Sequence, residues 1–165
     1  MGLPQFVVLL VAAQRLAEVI YARRNERRLR AVGGIERGAG HYPLLVLLHA
    51  AWLGSIFMIV PPNAEVSLLL LCFYVVLQAG RLWTIVSLGH YWTTRVMEVP
   101  GAPRVRQGPY RYLRHPNYLI VVLEIAVLPA AFGAWGIAGA FSVANAAVLL
   151  WRLRVEEQAL ASREG

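Results

Sequence analysis

The residues best suited to chemistry lie in one run, Gly108-Pro109-Tyr110-Arg111-Tyr112-Leu113-Arg114-His115-Pro116-Asn117-Tyr118. Pro116 favours the first turn of a helix, which places His115 at its cap. The first N–H groups of a helix lack partners and carry the positive end of its dipole, so they favour anionic or lone-pair groups. The tyrosines add flat faces suited to an adenine ring, although a membrane-interface aromatic belt would also use them. The run as a whole predicts a ligand site.

A second candidate lies near the C-terminus, where Arg152 and Glu156 are four residues apart. On a helix this spacing places both side chains on one face. Alone it indicates an ordinary ion pair, worth about 0.3–0.5 kcal/mol. The spacing is a more specific sign of a ligand site if the chain returns to the level of His115, because a guanidinium and a carboxylate would then lie beside the imidazole.

Four charged residues stand within long apolar stretches. Arg15 and Glu18 are three residues apart, which predicts either a pair that snorkels to the membrane surface or the wall of a polar pocket. Arg81 lies near the end of its stretch and is expected to snorkel. Glu124 lies about two turns inside its stretch, which makes it a candidate for binding substrate, with a hydrogen-bonded structural role as the alternative.

The composition requires a lipid environment for these residues. Of 165 residues, 58% are hydrophobic and 15% are charged, and the mean hydropathy is +0.54. A water-soluble domain needs a more polar outer shell, so a soluble enzyme of the Rossmann fold is excluded, as is a large multidomain enzyme. All 16 basic residues are Arg and all nine acidic residues are Glu. Because the sequence contains no aspartate and no lysine, mechanisms that use an aspartate dyad or a Schiff-base lysine are excluded.

Metal and nucleic-acid binding are not expected either. The chain has a single cysteine, Cys72, and its histidines are scattered along the sequence, at His41, His49, His90 and His115. The net charge of +7 on so apolar a chain indicates cytoplasmic membrane flanks rather than a nucleic-acid surface.

The hydropathy predicts about five transmembrane helices in a single domain, residues 1–165. Three apolar stretches of about 20 residues, enough to cross a bilayer, occupy residues 1–88. They run Leu3–Tyr21, Tyr42–Val60 and Val66–Leu88. After a polar segment that begins at Gly89, residues 118–150 are apolar but interrupted by Pro129, Gly133 and Gly136, which predicts a hairpin of two helices.

The arginines predict the orientation of this all-α fold. The segment after the first span, residues 89–114 and the C-terminus are all rich in Arg, whereas residues 61–65 and 132–136 contain none. By the positive-inside rule the N-terminus is outside, and the C-terminus and the ligand pocket are cytoplasmic.

The two motifs together resemble the isoprenylcysteine carboxyl methyltransferase family. Its members share a Gly-x-Tyr-x-x-x-Arg-His-Pro-x-Tyr run, a membrane hairpin, and an Arg followed by paired Glu and a Leu. Here these are Gly108, Tyr110, Arg114, His115, Pro116 and Tyr118, then Arg152, Glu156, Glu157 and Leu160. The resemblance covers roughly residues 89–160, and it implies an S-adenosylmethionine-dependent methyltransferase of the bacterial inner membrane.

The resemblance also implies roles for individual residues. Arg152 would be the catalytic residue, facing an oxygen of the substrate, and Glu156 would hold a polar group of the cofactor. The remaining cofactor contacts would come from Tyr110, His115, Pro116, Asn117, Tyr118, Arg95 and the stretch from Ala102 to Val105. Members usually carry Gly two places after the motif tyrosine and a longer aromatic and basic tail, where this chain has Ile120 and stops at Gly165.

The N-terminal half resembles a bacterial branch found beside type III polyketide synthases, with alkylpyrones as substrates. The matching residues are Arg24-Asn25, Gly33-Gly34-Ile35-Glu36 and His41-Tyr42-Pro43. The expected partners are therefore membrane lipid and a lipophilic small molecule that enters from the bilayer. The enzyme would act on a carboxylate or an acidic enol of this molecule.

Three other functions remain open. Steroid-reductase-like membrane enzymes carry an Arg-His-Pro-Asn-Tyr run and use NADPH, but they usually continue with Gly and an acid, where this chain has Ile120-Val121. Phospholipid N-methyltransferases act on an amine, which would gain positive charge beside Arg152. A small membrane subunit whose arginines bind anionic lipid is the non-enzymatic alternative.

Overall fold

The computed structural model describes residues 1–37, 42–101 and 105–161, apart from the side chains of residues 37 and 155–161. Its helices are α1 (Leu3–Ala31), α2 (Tyr42–Ile59), α3 (Leu68–Leu88), α4 (Pro116–Ala131) and α5 (Trp135–Ala161). Two strands, β1 (Ile35–Arg37) and β2 (Val96–Glu98), pair antiparallel with Ile35 opposite Glu98. The predicted all-α membrane architecture is confirmed in outline, and the two-stranded ribbon is an unpredicted addition to it.

Helix α1 continues ten residues beyond the predicted end of the first span at Tyr21. Residues 22–31 contain neither Gly nor Pro and are mostly good helix formers, so nothing ends the helix before Gly33, which has φ +88°. At 29 residues, α1 is about 44 Å long. It therefore extends past a hydrocarbon core of about 30 Å.

Four of the helices are long and apolar enough to cross a bilayer, and α4 is shorter. With 16 residues it spans about 24 Å. It begins with Pro116 as its first residue, as the sequence predicted, and a three-residue turn links it to α5. In that turn Gly133 has φ +71°, a conformation that side chains with a Cβ rarely adopt. Helices α4 and α5 pack against each other.

One end of the bundle, which contains residues 1–7, 59–69 and 129–137, has no arginine. The Gln5 side chain donates to the Val60 carbonyl across 2.7 Å, which joins the start of α1 to the end of α2. The Ser67 amide donates to the Ala131 carbonyl across 2.8 Å, which joins the start of α3 to the end of α4. Helix ends that are distant in sequence are thus fastened together here.

The opposite end, called here the arginine-rich end, collects the C-terminal turns of α1 and α3, the start of α4 and the last described side chains of α5. Asn25 of α1 donates to the carbonyls of Gly89 and Trp92, at 3.1 Å and 2.9 Å. These contacts hold the residues after α3 against the extension of α1. The arrangement brings the two predicted motifs to the same end of the molecule.

Buried apolar side chains from α2, α4 and other helices form the centre of the bundle, among them Trp52, Ile56, Ile125 and Leu128. Many large apolar residues instead face outward, including Leu47, Leu69, Val76 and Val143. An apolar outer surface of this extent would be unfavourable in water and suits a hydrocarbon solvent. The chain is therefore an integral membrane protein.

Candidate functional site

The candidate site begins at the first turn of α4. His115 is the N-cap of the helix, and its side chain makes no capping hydrogen bond to the helix backbone. Its ring stacks on that of Tyr118, with centroids 5.2 Å apart and planes inclined by only 3°. The stacked pair gives this end of α4 an aromatic face beside the positive end of a helix dipole.

Arg152 of α5 reaches the same turn. Its Nε donates to the Tyr118 hydroxyl across 2.7 Å, and its Cζ lies 5.3 Å from the centroid of the Tyr118 ring. Its Nη1 donates to the Thr94 carbonyl across 3.0 Å. The guanidinium is thus oriented from two sides, and α5 brings it back to the level of His115.

The cofactor residue predicted on α5 is Glu156, whose side chain lies outside the described residues. Helix α5 itself continues through this position. The predicted juxtaposition is therefore seen for Arg152 and the first turn of α4, and the contribution of Glu156 stays a prediction. Ala102, which begins the stretch proposed to contact the cofactor, also lies outside the described residues, and Val105 at its end is half-buried.

Arg95, predicted to contact the cofactor, has protein partners in the structure. It donates to Glu36 across 2.6 Å, lies 3.6 Å from a Glu26 oxygen and places its Cζ 4.6 Å from the Tyr42 ring centroid. Partial burial would raise the pKa of Glu36, but hydrogen bonds from Arg95 and Arg30 lower it below its usual value. Arg95 thus fastens the ribbon to α1 and α2, and its role toward a cofactor stays a prediction.

The segment that carries Tyr110 is fastened to the end of α3. Tyr110 is half-buried in a short 3-10 turn, Gly108–Arg111. The Gln107 side chain donates to the Ser87 carbonyl across 2.7 Å. Gly108 has φ +57°, and a Cβ at this position would lie 2.0 Å from the Ser87 hydroxyl oxygen. The glycine of the motif is therefore required both by backbone conformation and by close packing.

Gly108→Ala is accordingly expected to lower the free energy of unfolding by about 1–3 kcal/mol. Thermal unfolding of the purified protein measures the loss. Gly101→Ala is the matched control, since Gly101 has φ +72° but no heavy atom of the described residues would lie within 4 Å of an added Cβ. A smaller loss in the control isolates the packing contribution, whereas equal losses would contradict it.

Between α1, α3 and α4 lies a group called here the buried charge cluster: Arg15, Glu18, Arg81 and Glu124. Arg15 lies 3.0 Å from Glu18 and 2.8 Å from Glu124. Arg81 lies 2.6 Å from Glu18 and 3.4 Å from Glu124. Two positive and two negative charges therefore balance inside the bundle, where unpaired charges would be very costly.

The structure overturns the expectation that these arginines snorkel to the surface. The predicted Arg15–Glu18 pair exists, but Arg15 also binds Glu124 on another helix, and Arg81 is only 7% exposed. Both side chains turn inward because Glu18 and Glu124 offer ionised partners between the helices. Glu124 is 2% exposed and accepts from Gln78 across 2.7 Å, so it is hydrogen-bonded, while its predicted contact with substrate stays untested.

Arg81 also connects the buried charge cluster to the candidate site. Its Nη1 donates to the Asn117 side-chain oxygen across 3.3 Å, in the first turn of α4. Its Cζ lies 5.8 Å from the centroid of Trp92, two residues before the Thr94 that binds Arg152. Arg81, Trp92 and Thr94 were not predicted as site residues. Spacing could have indicated Arg81, whereas the contact of Thr94 is made by its backbone and has no side-chain signal.

The residues present suit a ligand that carries both acceptor oxygens and an aromatic ring. The buried indole N–H of Trp92 has no hydrogen-bond partner among the described residues. Other buried polar groups also lack partners among the described residues, such as the Trp52 indole and the Asn145 amide, so this donor alone does not mark a ligand site. Guanidinium, phenol, imidazole and helix N-terminus supply further donors and flat faces. These groups fit the carboxylate, ribose and adenine of a nucleoside cofactor.

Comparison with known proteins gives independent information about the same region. The model of the isoprenylcysteine carboxyl methyltransferase family matches residues 68–162. An uncharacterised protein of Bacillus subtilis, YpbQ, is 37% identical over 158 residues, covering 93% of this chain and 94% of its own. An uncharacterised protein of Haemophilus influenzae is 26% identical over 120 residues, 68% of each chain. No solved structure matches the chain significantly.

Proposed function

This chain belongs to the isoprenylcysteine carboxyl methyltransferase family and is therefore a membrane methyltransferase; from that premise we propose that it transfers a methyl group from S-adenosylmethionine to an oxygen of a lipophilic small molecule. The resemblance predicted from the two motifs is thereby confirmed at the level of the family. The finer proposal is carried by one observation, the contact of Arg152 with Tyr118 beside His115.

The cofactor assignment follows from the family, whose members generally use S-adenosylmethionine. When bound, this cofactor supplies an electrophilic methyl group, so the protein has mainly to position the reactants and exclude water. The residues proposed to hold it are Tyr110, His115, Pro116, Asn117, Tyr118 and Glu156, with further contacts from Arg95 and Val105. The aromatic pair and the donors at the start of α4 support this assignment.

Arg152 is proposed to bind the methyl-accepting oxygen. A guanidinium near a carboxylate or an acidic enol lowers the pKa of that group, which keeps it ionised and nucleophilic near neutral pH. Its fork of N–H donors also aims the oxygen. The contacts with Tyr118 and Thr94 support this role, because they restrict the guanidinium before any substrate arrives. No strong general base is then required.

The substrate is proposed to be a lipophilic acid or enol, such as a prenylcysteine-like acid or an alkylpyrone. Its tail would stay in the bilayer and enter between helices, while the cofactor arrives from the cytoplasm. Glu124 is proposed to contact this substrate from the membrane interior.

We propose further that the five helices make five crossings of the bacterial inner membrane, with α4 and α5 as a hairpin and the N-terminus outside. The distribution of arginine supports this orientation, which places the arginine-rich end in the cytoplasm. The length of α4, about 24 Å, is accommodated if the bilayer thins locally around it.

Ligand-induced stabilisation of the purified protein tests the cofactor. S-adenosylhomocysteine at 100 times its Kd is expected to add about 2.7 kcal/mol to the free energy of unfolding and so to raise the melting temperature. NADPH at the same concentration is expected to cause no shift, since the site is proposed to bind the methionine cofactor. Methyl transfer is then assayed with an alkylpyrone and with phosphatidylethanolamine.

A shift with NADPH alone would overturn the proposal in favour of a reductase. Methylation of the amine but not of the pyrone would favour a phospholipid N-methyltransferase. A protein that responds to neither nucleotide would support the non-enzymatic alternative.

A further inference from the structure

The buried charge cluster and the candidate site share one guanidinium, that of Arg81. Its Nε and Nη2 donate to Glu18, at 2.9 Å and 2.6 Å. Its Nη1 donates to Asn117 and Glu124, at 3.3 Å and 3.4 Å. One side of the planar group is thus held by α1, and the other by two residues of α4.

The cluster restricts Arg81 more than a single ion pair would. A guanidinium that is bound by Glu18 through two of its nitrogens has its plane fixed as well as its position. Gln14, which donates to both Glu18 and Gln78, ties this carboxylate to α3 through a second side chain. The orientation of the Arg81 Nη1 is therefore set by partners in the interior of the bundle. These partners lie outside the candidate site.

We propose that Arg81 is a positioning residue, which holds Asn117 and the Trp92 ring in the arrangement that binds the cofactor. This inference rests on the proposed function, because it assigns Asn117 to the cofactor pocket. The buried charge cluster then has a task beyond stability: it fixes the guanidinium that orients the first turn of α4.

Two features distinguish this role from a structural one. The charges of the cluster balance among Arg15, Glu18, Arg81 and Glu124 without Asn117, so the bond to Asn117 is additional to neutralisation. The Trp92 ring near Arg81 carries a buried N–H that has no partner among the described residues. The contact of the guanidinium with this ring is, like the bond to Asn117, additional to the neutralisation of charge.

The affinity for S-adenosylhomocysteine tests the proposal, measured by calorimetry at a temperature where each variant is folded. Asn117→Ala leaves the charges of the cluster intact, and Arg81→Lys keeps the charge but loses the fork. Each substitution is expected to raise the Kd for S-adenosylhomocysteine about 10- to 100-fold, because it removes one charge-assisted hydrogen bond. Combining them is expected to raise the Kd by less than the product of the two separate effects, since both changes break the contact between Arg81 and Asn117, while only Arg81→Lys affects the Trp92 ring.

Arg81→Gln/Glu18→Gln removes one charge of each sign and so protects the fold while removing the fork. It is expected to raise the Kd as much as Arg81→Lys does. Arg27→Gln, at an exposed position on α1, is the control for the loss of one positive charge and is expected to bind as the wild type does.

Wild-type affinity in Asn117→Ala, or lower melting temperatures with unchanged affinity in the Arg81 variants, would overturn the positioning role. Additive effects of Arg81→Lys and Asn117→Ala would also overturn it. A wild-type protein that does not bind S-adenosylhomocysteine would instead refute the proposed function, and this inference with it.

Discussion

Replacing Arg152 with alanine is expected to reduce kcat/KM for methyl transfer by about 100-fold, the effect of misplacing a reacting atom, while the bundle stays folded. The guanidinium is proposed to aim the accepting oxygen while its lone pair forms the new O–CH3 bond and the electron pair of the broken C–S bond returns to the sulfonium sulfur, so removing the guanidinium leaves that oxygen unaimed. The side chain is only half-buried, and the contacts described for it, with Tyr118 and Thr94, lie at the arginine-rich end rather than in the apolar centre of the bundle. Methyl transfer to a purified alkylpyrone, with melting temperature as the check on folding, measures the effect.

Arg154→Ala is the matched control, because Arg154 is an exposed arginine two residues further along the same helix. Two residues turn a helix by about 200°, so Arg154 lies on a different face. The control should retain wild-type turnover. Near wild-type turnover in Arg152→Ala would refute the role of this residue, and an equal loss in both variants would indicate a general effect of charge.

The pH dependence of Arg152→Ala separates the two substrate classes. For an acidic enol, loss of the guanidinium raises the pKa of the substrate in the site, so the activity of the variant should increase with pH. A carboxylate is already ionised at neutral pH, so its methylation by the variant should stay low and flat above pH 6. A pH profile of kcat/KM for each substrate makes the distinction.

The sequence predicted the helices well because apolar length and breakers are local properties. Tyr42–Val60 and Val66–Leu88 were predicted as spans, and the helices run Tyr42–Ile59 and Leu68–Leu88. The turn between α4 and α5 lies at Gly133, one of the three predicted breakers, whereas Pro129 stays inside α4 and Gly136 inside α5. The first helix is longer than the apolar stretch that predicted it, since a hydropathy pattern ends at the arginines whereas the backbone has no reason to stop there.

Hydropathy could not predict that the buried arginines point into the bundle. It gives the length of a span but not which face of the helix meets its neighbours. Helical spacing did contain a signal. Gln78 and Arg81 are three residues apart on α3, and Asn117 and Glu124 are seven apart on α4, so each pair shares a face. Polar faces on several spans of one chain predict that the spans meet through them.

Pairing between distant segments was beyond sequence reasoning. Strands of three residues, Ile35–Arg37 and Val96–Glu98, have too little pattern to predict a partner some 60 residues away. The contact of Arg152 with the Thr94 carbonyl uses a group that every residue possesses. The sequence therefore indicated the side chains of Arg152 and Tyr118, which the structure brings into contact, whereas it gave no indication of the Thr94 carbonyl.

Glu124→Leu is expected to lower the free energy of unfolding by about 3–5 kcal/mol, the cost of leaving a buried charge without its partner. The variant would hold two guanidiniums, Arg15 and Arg81, against the single carboxylate of Glu18. Chemical or thermal unfolding in detergent micelles measures the loss. A destabilisation below 1 kcal/mol would contradict the view that Glu124 neutralises the cluster.

Arg15→Met/Glu124→Leu tests the cause, because it removes one charge of each sign and leaves Arg81 paired with Glu18. Replacing a buried ion pair by apolar groups is often neutral, so this variant should recover most of the lost stability. Its KM then decides the second role proposed for Glu124. If the carboxylate contacts substrate, the KM stays raised in a protein whose fold is restored; if it serves only the cluster, the KM returns to the wild-type value together with the stability.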